Sequence, residues 1–375
     1  MQFRDLKTQY QRLKPEIDAA IQSVLHRADF ILGEPVTELE NALAAYVGRK
    51  YCVTCANGTD ALQLALTAMH VGAGDAVFVP DFTYIASAGA VSVLGAAVIP
   101  VDIDARTFNI SPQALESAVL RVLADNKLKP KVILAVDLFG LPADYDALVP
   151  IAEKYGMEIL EDGAQGFGGS IRGKRACSFG NISTTSFFPA KPLGCYGDGG
   201  AIFTDDGAVN ARLRSLRAQG RSETDKYDHL EVGVNSRLDT LQAAILLPKF
   251  RAFTEYELCV VHQAAQWYTE RLKDTVTTPH IPSGYTSAWA QYTIKLRDSE
   301  TRSAVQTALK AQGIPSMIYY PRGIHQQKAY ADLQVTDAWY PNTLHAAETV
   351  LSLPIHPYLE QAQADKISEV IKSCL

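Results

Sequence analysis

The alternation of apolar and polar positions divides the chain into helical and extended stretches. Behind a short N-terminal arm, Ile17, Ile21, Val24 and Leu25 recur at helical spacing after Pro15, a residue suited to a first turn. Val36 to Val47 repeats that period and stops at Gly48. From Tyr51 the pattern changes. Short apolar runs at 51–55, 76–79, 97–101, 131–137 and 157–162 predict strands, and intervening segments such as Tyr145 to Tyr155 predict helices. Two more strand-like runs flank a proline-rich loop, S-T-T-S-F-F from Ser183 and a short one ending at Phe203. Strands alternating with helices predict an α/β fold with a mostly parallel, doubly wound sheet. Residues 208–250 read as two helical parts around a polar stretch at 219–231, with Pro248 ending the second. A long helix follows from about Phe250 to Asp274. Strands at 290–296 and 316–320 and helices at 301–312 and 361–374 then predict a smaller α/β unit. The division expected is a large domain, 1–250, and a smaller C-terminal domain, 251–375.

Composition narrows the class. A chain of 375 residues, 47% hydrophobic and 20% charged, can build two sizeable cores. Its net charge of −6, without a long basic run, argues against nucleic acid or an anionic membrane as partner. The first ten residues hold no apolar run resembling a secretory signal, and Ala88 to Val101 is too short and broken to span a bilayer. A cytoplasmic protein is expected. Six scattered cysteines fit reduced thiols, and Cys52-Val-Thr-Cys55, with no second pair, reads as buried structural cysteine. The histidines lack ligand spacing, so no metal site is expected.

The candidate chemistry lies at predicted strand ends, where ligands bind in such sheets. Lys191 sits between Pro189 and Pro192, five residues after Ser186. A lone loop lysine is ordinarily a solvated surface residue; a desolvated one becomes a nucleophile towards carbonyls. Asn57-Gly58-Thr59 joins a strand to a helix whose N-cap falls near Thr59 or Asp60, a natural anion site as well as a plain turn. Asp137 and Asp162 each close a strand. The glycines of G-A-Q-G-F-G-G at 163–169 are in the wrong order for a dinucleotide fingerprint. An activated lysine, an acid, a phosphate cradle and a neighbouring aromatic meet the needs of pyridoxal phosphate: Schiff base, protonated ring nitrogen and phosphate.

With these residues in place, the chain resembles the DegT/StrS family of PLP-dependent sugar-nucleotide aminotransferases. The matching segments are A-N-G-T-D-A-L at 56–62, P-D-F-T-Y at 80–84, E-D-G-A-Q at 161–165, the run from Ser186 to Ile202, G-V-N-S-R-L-D at 233–239 and L-P-I-H-P-Y-L at 353–359. The resemblance implies an aspartate-aminotransferase-like fold (PLP fold type I) with pyridoxal 5'-phosphate as cofactor. It casts Lys191 as the Schiff-base lysine and proton carrier, and Asp162 as partner of the ring nitrogen. Gln165 would contact the ring's phenolic oxygen, Tyr84 would stack on the ring, and Gly58, Thr59 and Ser186 would hold the phosphate. Asn235 and Arg237 would reach in from the other subunit of a homodimer with composite sites, Asn235 to the cofactor. Arg237, Tyr320 and His325 would serve the substrate. Within the family the likeness is greatest to members aminating carbon 3 of a UDP-linked 3-keto hexuronate, with L-glutamate as donor, in O-antigen precursor synthesis. Amination at carbon 3 or 4 of a keto-6-deoxyhexose nucleotide is the alternative. A non-enzymatic PLP-binding regulator is a further one, without a helix-turn-helix or basic patch to support it. A PLP-dependent sugar dehydratase would resemble relatives with His at the lysine position. Two departures stand out: Gly163, where Ala or Cys is commoner, and Tyr319, where the subgroup can have His.

Overall fold

The computed structural model describes residues 1–225 and 227–375; of the polar stretch 219–231, Lys226 alone lies outside them. The chain begins with α1 (Leu6–Arg27) and α2 (Glu34–Val47), followed by β1 (Tyr51–Cys55) and α3 (Gly58–Ala68). It continues through β2 (Asp75–Pro80), α4 (Ile85–Val93), β3 (Ala97–Val101), α5 (Pro112–Asp125), β4 (Lys129–Val136), α6 (Tyr145–Tyr155) and β5 (Glu158–Asp162). Two short strands, β6 (Ser170–Ile171) and β7 (Lys174–Arg175), precede β8 (Ile182–Ser186) and β9 (Gly200–Thr204). Then come α7 (Gly207–Leu216), α8 (Thr240–Ala252), α9 (Leu258–Leu272), β10 (Tyr285–Thr286), β11 (Tyr292–Lys295), α10 (Ser299–Ala311), α11 (Pro341–Thr349), β12 (Val350–Leu353) and α12 (Gln361–Lys372).

Among the described residues one seven-stranded sheet runs in the order β1-β9-β8-β5-β4-β2-β3. It is parallel except at β9, which pairs antiparallel with both neighbours. Side-chain alternation builds two cores from single strands. Val132, Leu134 and Val136 of β4 face α3, α4 and α7, while Ile133 and Ala135 face α5 and α6. A further core gathers α9, α10 and α12 around β11 and β12, from Val261 to Ile371.

Three expectations are corrected. Pro15 lies inside α1, which already starts at Leu6, where Asp5 caps it by accepting the Thr8 N–H at 3.0 Å. Pro248 likewise lies inside α8, which continues through a π-helical turn at Phe253–Glu257 into α9. Both helices are held by mutual packing of Leu13 and Ile17 against Ile245 and Ala252. Burial of four such side chains, at about 25 cal/mol per Å² of apolar surface, is comparable with the ~3 kcal/mol cost of an interior proline. The segment 316–320 forms only a single bridge, Met317 to Ser352, rather than a strand.

Candidate active site

Pro189 and Pro192 bar a helix after β8, and the chain folds back on itself. Lys191 N–H donates to the Phe188 carbonyl at 2.8 Å, and Cys195 N–H to that of Phe187 at 2.8 Å. Lys191 lines a small cavity with Arg4, Glu257, His356 and Tyr358. Loss of water lowers its pKa; the Asp162 carboxylate opposes that shift and the Arg4 guanidinium adds to it. Such an amine is neutral more often than a surface lysine, and so nucleophilic and able to accept a proton. Lys249 is the contrasting case. It is 1% exposed, its amine lies 4.6 Å from the centre of the Tyr196 ring, and burial pushes it down to about 8. Lys249 is sealed in the core, whereas Lys191 lines a cavity.

Successive carboxylates of β5 point to opposite sides of the sheet. Glu161 is used up by the N–H groups of Cys177 and Phe179 and the Ser183 hydroxyl, at 2.5, 2.6 and 2.8 Å. Asp162, also buried, accepts the Ser87 hydroxyl at 2.8 Å and the Ala164 N–H at 3.2 Å. Burial raises its pKa, and Ser87, Ala164 and Lys191 each pull it back towards the ionised form. Asp137, the other strand-end acid, turns instead to the start of α6, accepting the Ala143 N–H at 2.9 Å and the Tyr145 hydroxyl at 2.8 Å.

The anion cradle is assembled from two strand ends. Asn57, rather than Thr59 or Asp60, caps α3, accepting the Asp60 N–H at 2.8 Å, so Gly58 and Thr59 form its open first turn. A β-carbon at Gly58 would sit 2.6 Å from that of Ser186, so only glycine lets the Ser186 hydroxyl approach this helix terminus. Free N–H groups, the positive end of the helix dipole and a hydroxyl suit a phosphate. The residues therefore fit pyridoxal phosphate: an amine, an opposed buried carboxylate and a phosphate cradle on neighbouring strand ends. Gln165 borders the same region. Its Oε1 accepts the Phe139 N–H at 2.7 Å, which leaves Nε2 as the donor, now 3.1 Å from the Tyr320 hydroxyl. Tyr84, 57% exposed, packs its ring 6.4 Å from that of Tyr320.

Asn235 and Arg237 line a different cavity, of about 530 Å³, with Ile31, Asn57 and Gln242. Between them Ser236 donates to Asp60 at 2.6 Å and accepts the Ala56 N–H at 3.1 Å, which fixes this segment beside the cradle of its own chain. His325 is tied into the protein through both ring nitrogens. Nδ1 meets Asp81 at 2.6 Å, Nε2 meets Asp337 at 3.2 Å, and the ring stacks on Tyr340. Sequence reasoning missed Ser87 and Arg4, which carry no local signal because only folding brings them to Asp162 and Lys191. The glycine run at 163–169 did carry one. Gly163 leaves room for Cys177, and Gly168, at φ +108°, for Phe253.

Comparison with known proteins agrees with this geometry. The model of the DegT/DnrJ/EryC1/StrS aminotransferase family matches residues 11–372. The UDP-2-acetamido-2-deoxy-3-oxo-D-glucuronate aminotransferase of Pseudomonas aeruginosa is 48% identical, covering 96% of this chain and 97% of its own. A UDP-N-acetyl-3-dehydro-alpha-D-glucosamine 3-aminotransferase of Acidithiobacillus ferrooxidans is 42% identical, covering 99% and 97%. A DegT DnrJ EryC1 StrS aminotransferase from Brucella abortus superposes with a TM-score of 0.96 at 44% identity, covering 100% and 99%. A Bacillus subtilis structure with the bound cofactor PMP superposes at 0.86 and 29% identity, covering 96% and 81%.

Proposed function

The chain belongs to the DegT/DnrJ/EryC1/StrS aminotransferase family, and from that premise we propose that it moves an amino group from L-glutamate to carbon 3 of a UDP-linked 3-keto sugar, 2-acetamido-2-deoxy-3-oxo-glucuronate. The observation that carries this choice of sugar is the 48% identity, along nearly the whole chain, to an enzyme named for it. Pyridoxal phosphate is the cofactor. When bound, it supplies an aldehyde that condenses with amines and a protonated pyridine that withdraws electrons from the neighbouring carbon.

The residues divide the remaining work. The desolvated Lys191 amine would be the group that holds the cofactor's aldehyde carbon and that takes and returns a proton beside it. Asp162 would hold the ring-nitrogen proton, with Ser87 and the Ala164 N–H pulling it towards the ionised form against burial. Gly58, Thr59 and Ser186 bind the phosphate. Gln165, its Oε1 committed to Phe139, offers Nε2 to the ring oxygen. Tyr84 covers the ring, and Tyr320 positions Gln165. Asn235 and Arg237 complete the site of the partner subunit in a homodimer, Arg237 towards the nucleotide sugar. Among the described residues no helix is long and apolar enough to cross a membrane, in keeping with a cytoplasmic enzyme of O-antigen precursor synthesis. The 42% identity to an enzyme named for 3-dehydroglucosamine supports a second reading, in which the sugar lacks the carboxylate.

The test is to incubate the enzyme, pyridoxal phosphate and L-glutamate with a panel of keto-sugar nucleotides. The 3-keto hexuronate should be preferred; preference for a dTDP-4-keto-6-deoxyhexose would overturn the choice. Borohydride should fix the cofactor to Lys191, and Lys191→Ala should retain cofactor without turnover. Normal turnover by that variant would remove Lys191 from the mechanism.

A further inference from the structure

We propose that Arg4 is a carboxylate-binding residue of the substrate site, holding an acid group of the amino donor or of an acidic sugar beside Lys191. The inference rests on the transaminase reading above. The arm before α1 is fixed in place: Asp5 is held by the Thr8 N–H and hydroxyl at 3.0 and 2.7 Å, and Phe3 packs 6.2 Å from Tyr319. Arg4 thereby lines the same cavity as Lys191. Its Nη1 donates to the Ile355 carbonyl at 3.1 Å, and among the described residues it makes no ion pair.

The nearby acids are already engaged. Glu257 receives Gln9 Nε2 at 2.9 and 3.1 Å and the Tyr358 hydroxyl, Asp5 caps α1, and Asp162 takes Ser87. The buried guanidinium of Arg217, by contrast, meets Glu40 at 2.6 Å. A guanidinium has five N–H donors in a planar fork, and one spent on a carbonyl leaves a geometry that matches a carboxylate. Burial pushes the Arg4 pKa down to about 10, still fully charged at neutral pH. His356, in the same cavity, is pushed down to about 4 by burial and by Arg4 itself, so it contributes no competing charge. The phosphate has its own cradle at α3. Glu257, whose charge reaches Arg4, is tied to Gln9 and Tyr358 and forms no ion pair with it, which leaves the guanidinium fork for a carboxylate carried by the substrate.

Calorimetric titration of the PLP-loaded protein with glutarate, UDP-N-acetylglucosaminuronate and UDP-N-acetylglucosamine tests the assignment. Arg4→Gln should weaken one of the two acids about tenfold, the effect of one charge-assisted contact, while UDP-N-acetylglucosamine, whose sugar carries no carboxylate, is unaffected. Arg4→Lys should fall between. Loss confined to glutarate assigns Arg4 to the amino donor, and loss confined to the uronate assigns it to the sugar. Unchanged affinity for both acids, equal loss for all three ligands, or no binding of either acid by the wild type would overturn it. Tight binding without amino transfer to any keto sugar would sink the transaminase reading and leave Arg4 its carboxylate.

Discussion

The Ser87 hydroxyl donates to Asp162 Oδ2 at 2.8 Å, so a helix residue fixes the acid at the end of β5. Removing the hydroxyl leaves the carboxylate buried with one polar partner fewer, which raises its pKa further. Ser87→Ala should therefore lower kcat roughly tenfold, about 1.4 kcal/mol of barrier. The acid limb of the pH profile should move to higher pH, because Asp162 then protonates earlier as pH falls. Asp162→Asn should cost more, about 3–4 kcal/mol, as for other preorganised electrostatic partners. A Ser87→Ala profile that coincides with wild type would show that this bond does not tune Asp162.

Gly163 should resist the residue commoner at its position. A β-carbon there would lie 2.5 Å from Cys177 Sγ and 3.0 Å from the Thr184 carbonyl. Gly163→Ala should destabilise the fold by about 1–3 kcal/mol, the usual cost of overpacking. Adding Cys177→Ala should recover part of the loss, since it removes the nearer atom. Urea unfolding of wild type and the two variants checks both signs; a Gly163→Ala protein as stable as wild type contradicts the packing argument.

Subunit exchange tests whether Arg237 serves the partner's site. Lys191→Ala and Arg237→Ala, each inactive alone, are mixed at equal concentration. About half the dimers become hybrids, each with one doubly lesioned site and one intact site. Activity should recover to about a quarter of wild type by symmetry counting. No recovery after proven exchange places Arg237 in its own chain's site, beside the cradle to which Ser236 ties it.

His356 should make the protein acid-labile. It is 3% exposed, and burial and Arg4 push its pKa down to about 4, with Asp5 opposing. Between pH 4 and 6.5 the unfolded chain binds this proton and the folded one does not, so stability rises with pH. The contribution is complete above about pH 6.5 and lost on acidification, on the order of 3 kcal/mol. Denaturant midpoints at fixed protein concentration should therefore fall less between pH 7 and 4.5 in His356→Asn. Equal slopes would exclude His356 as a source of the lability.

Much of this protein was settled locally. Short apolar runs, and the segments between them, placed β3 and α6 at their observed limits and the other sheet strands within a few residues of theirs. Side-chain alternation and strand–loop–helix order then put Lys191, Asp162 and the Gly58 turn at strand ends, because each is written within a few neighbouring residues. The tertiary structure decided whatever depends on contacts between distant segments. Pro15 and Pro248 signal helix ends on propensity alone, yet packing of α1 against α8 carries both helices through them. Ser87 reaches Asp162 across 75 positions, Arg4 reaches the Ile355 carbonyl across 351, and His325 is drawn to Asp81 across 244. No local pattern encodes such partners, since hydrogen-bond and charge complementarity are fixed only once burial removes water and leaves each group a single neighbour to meet.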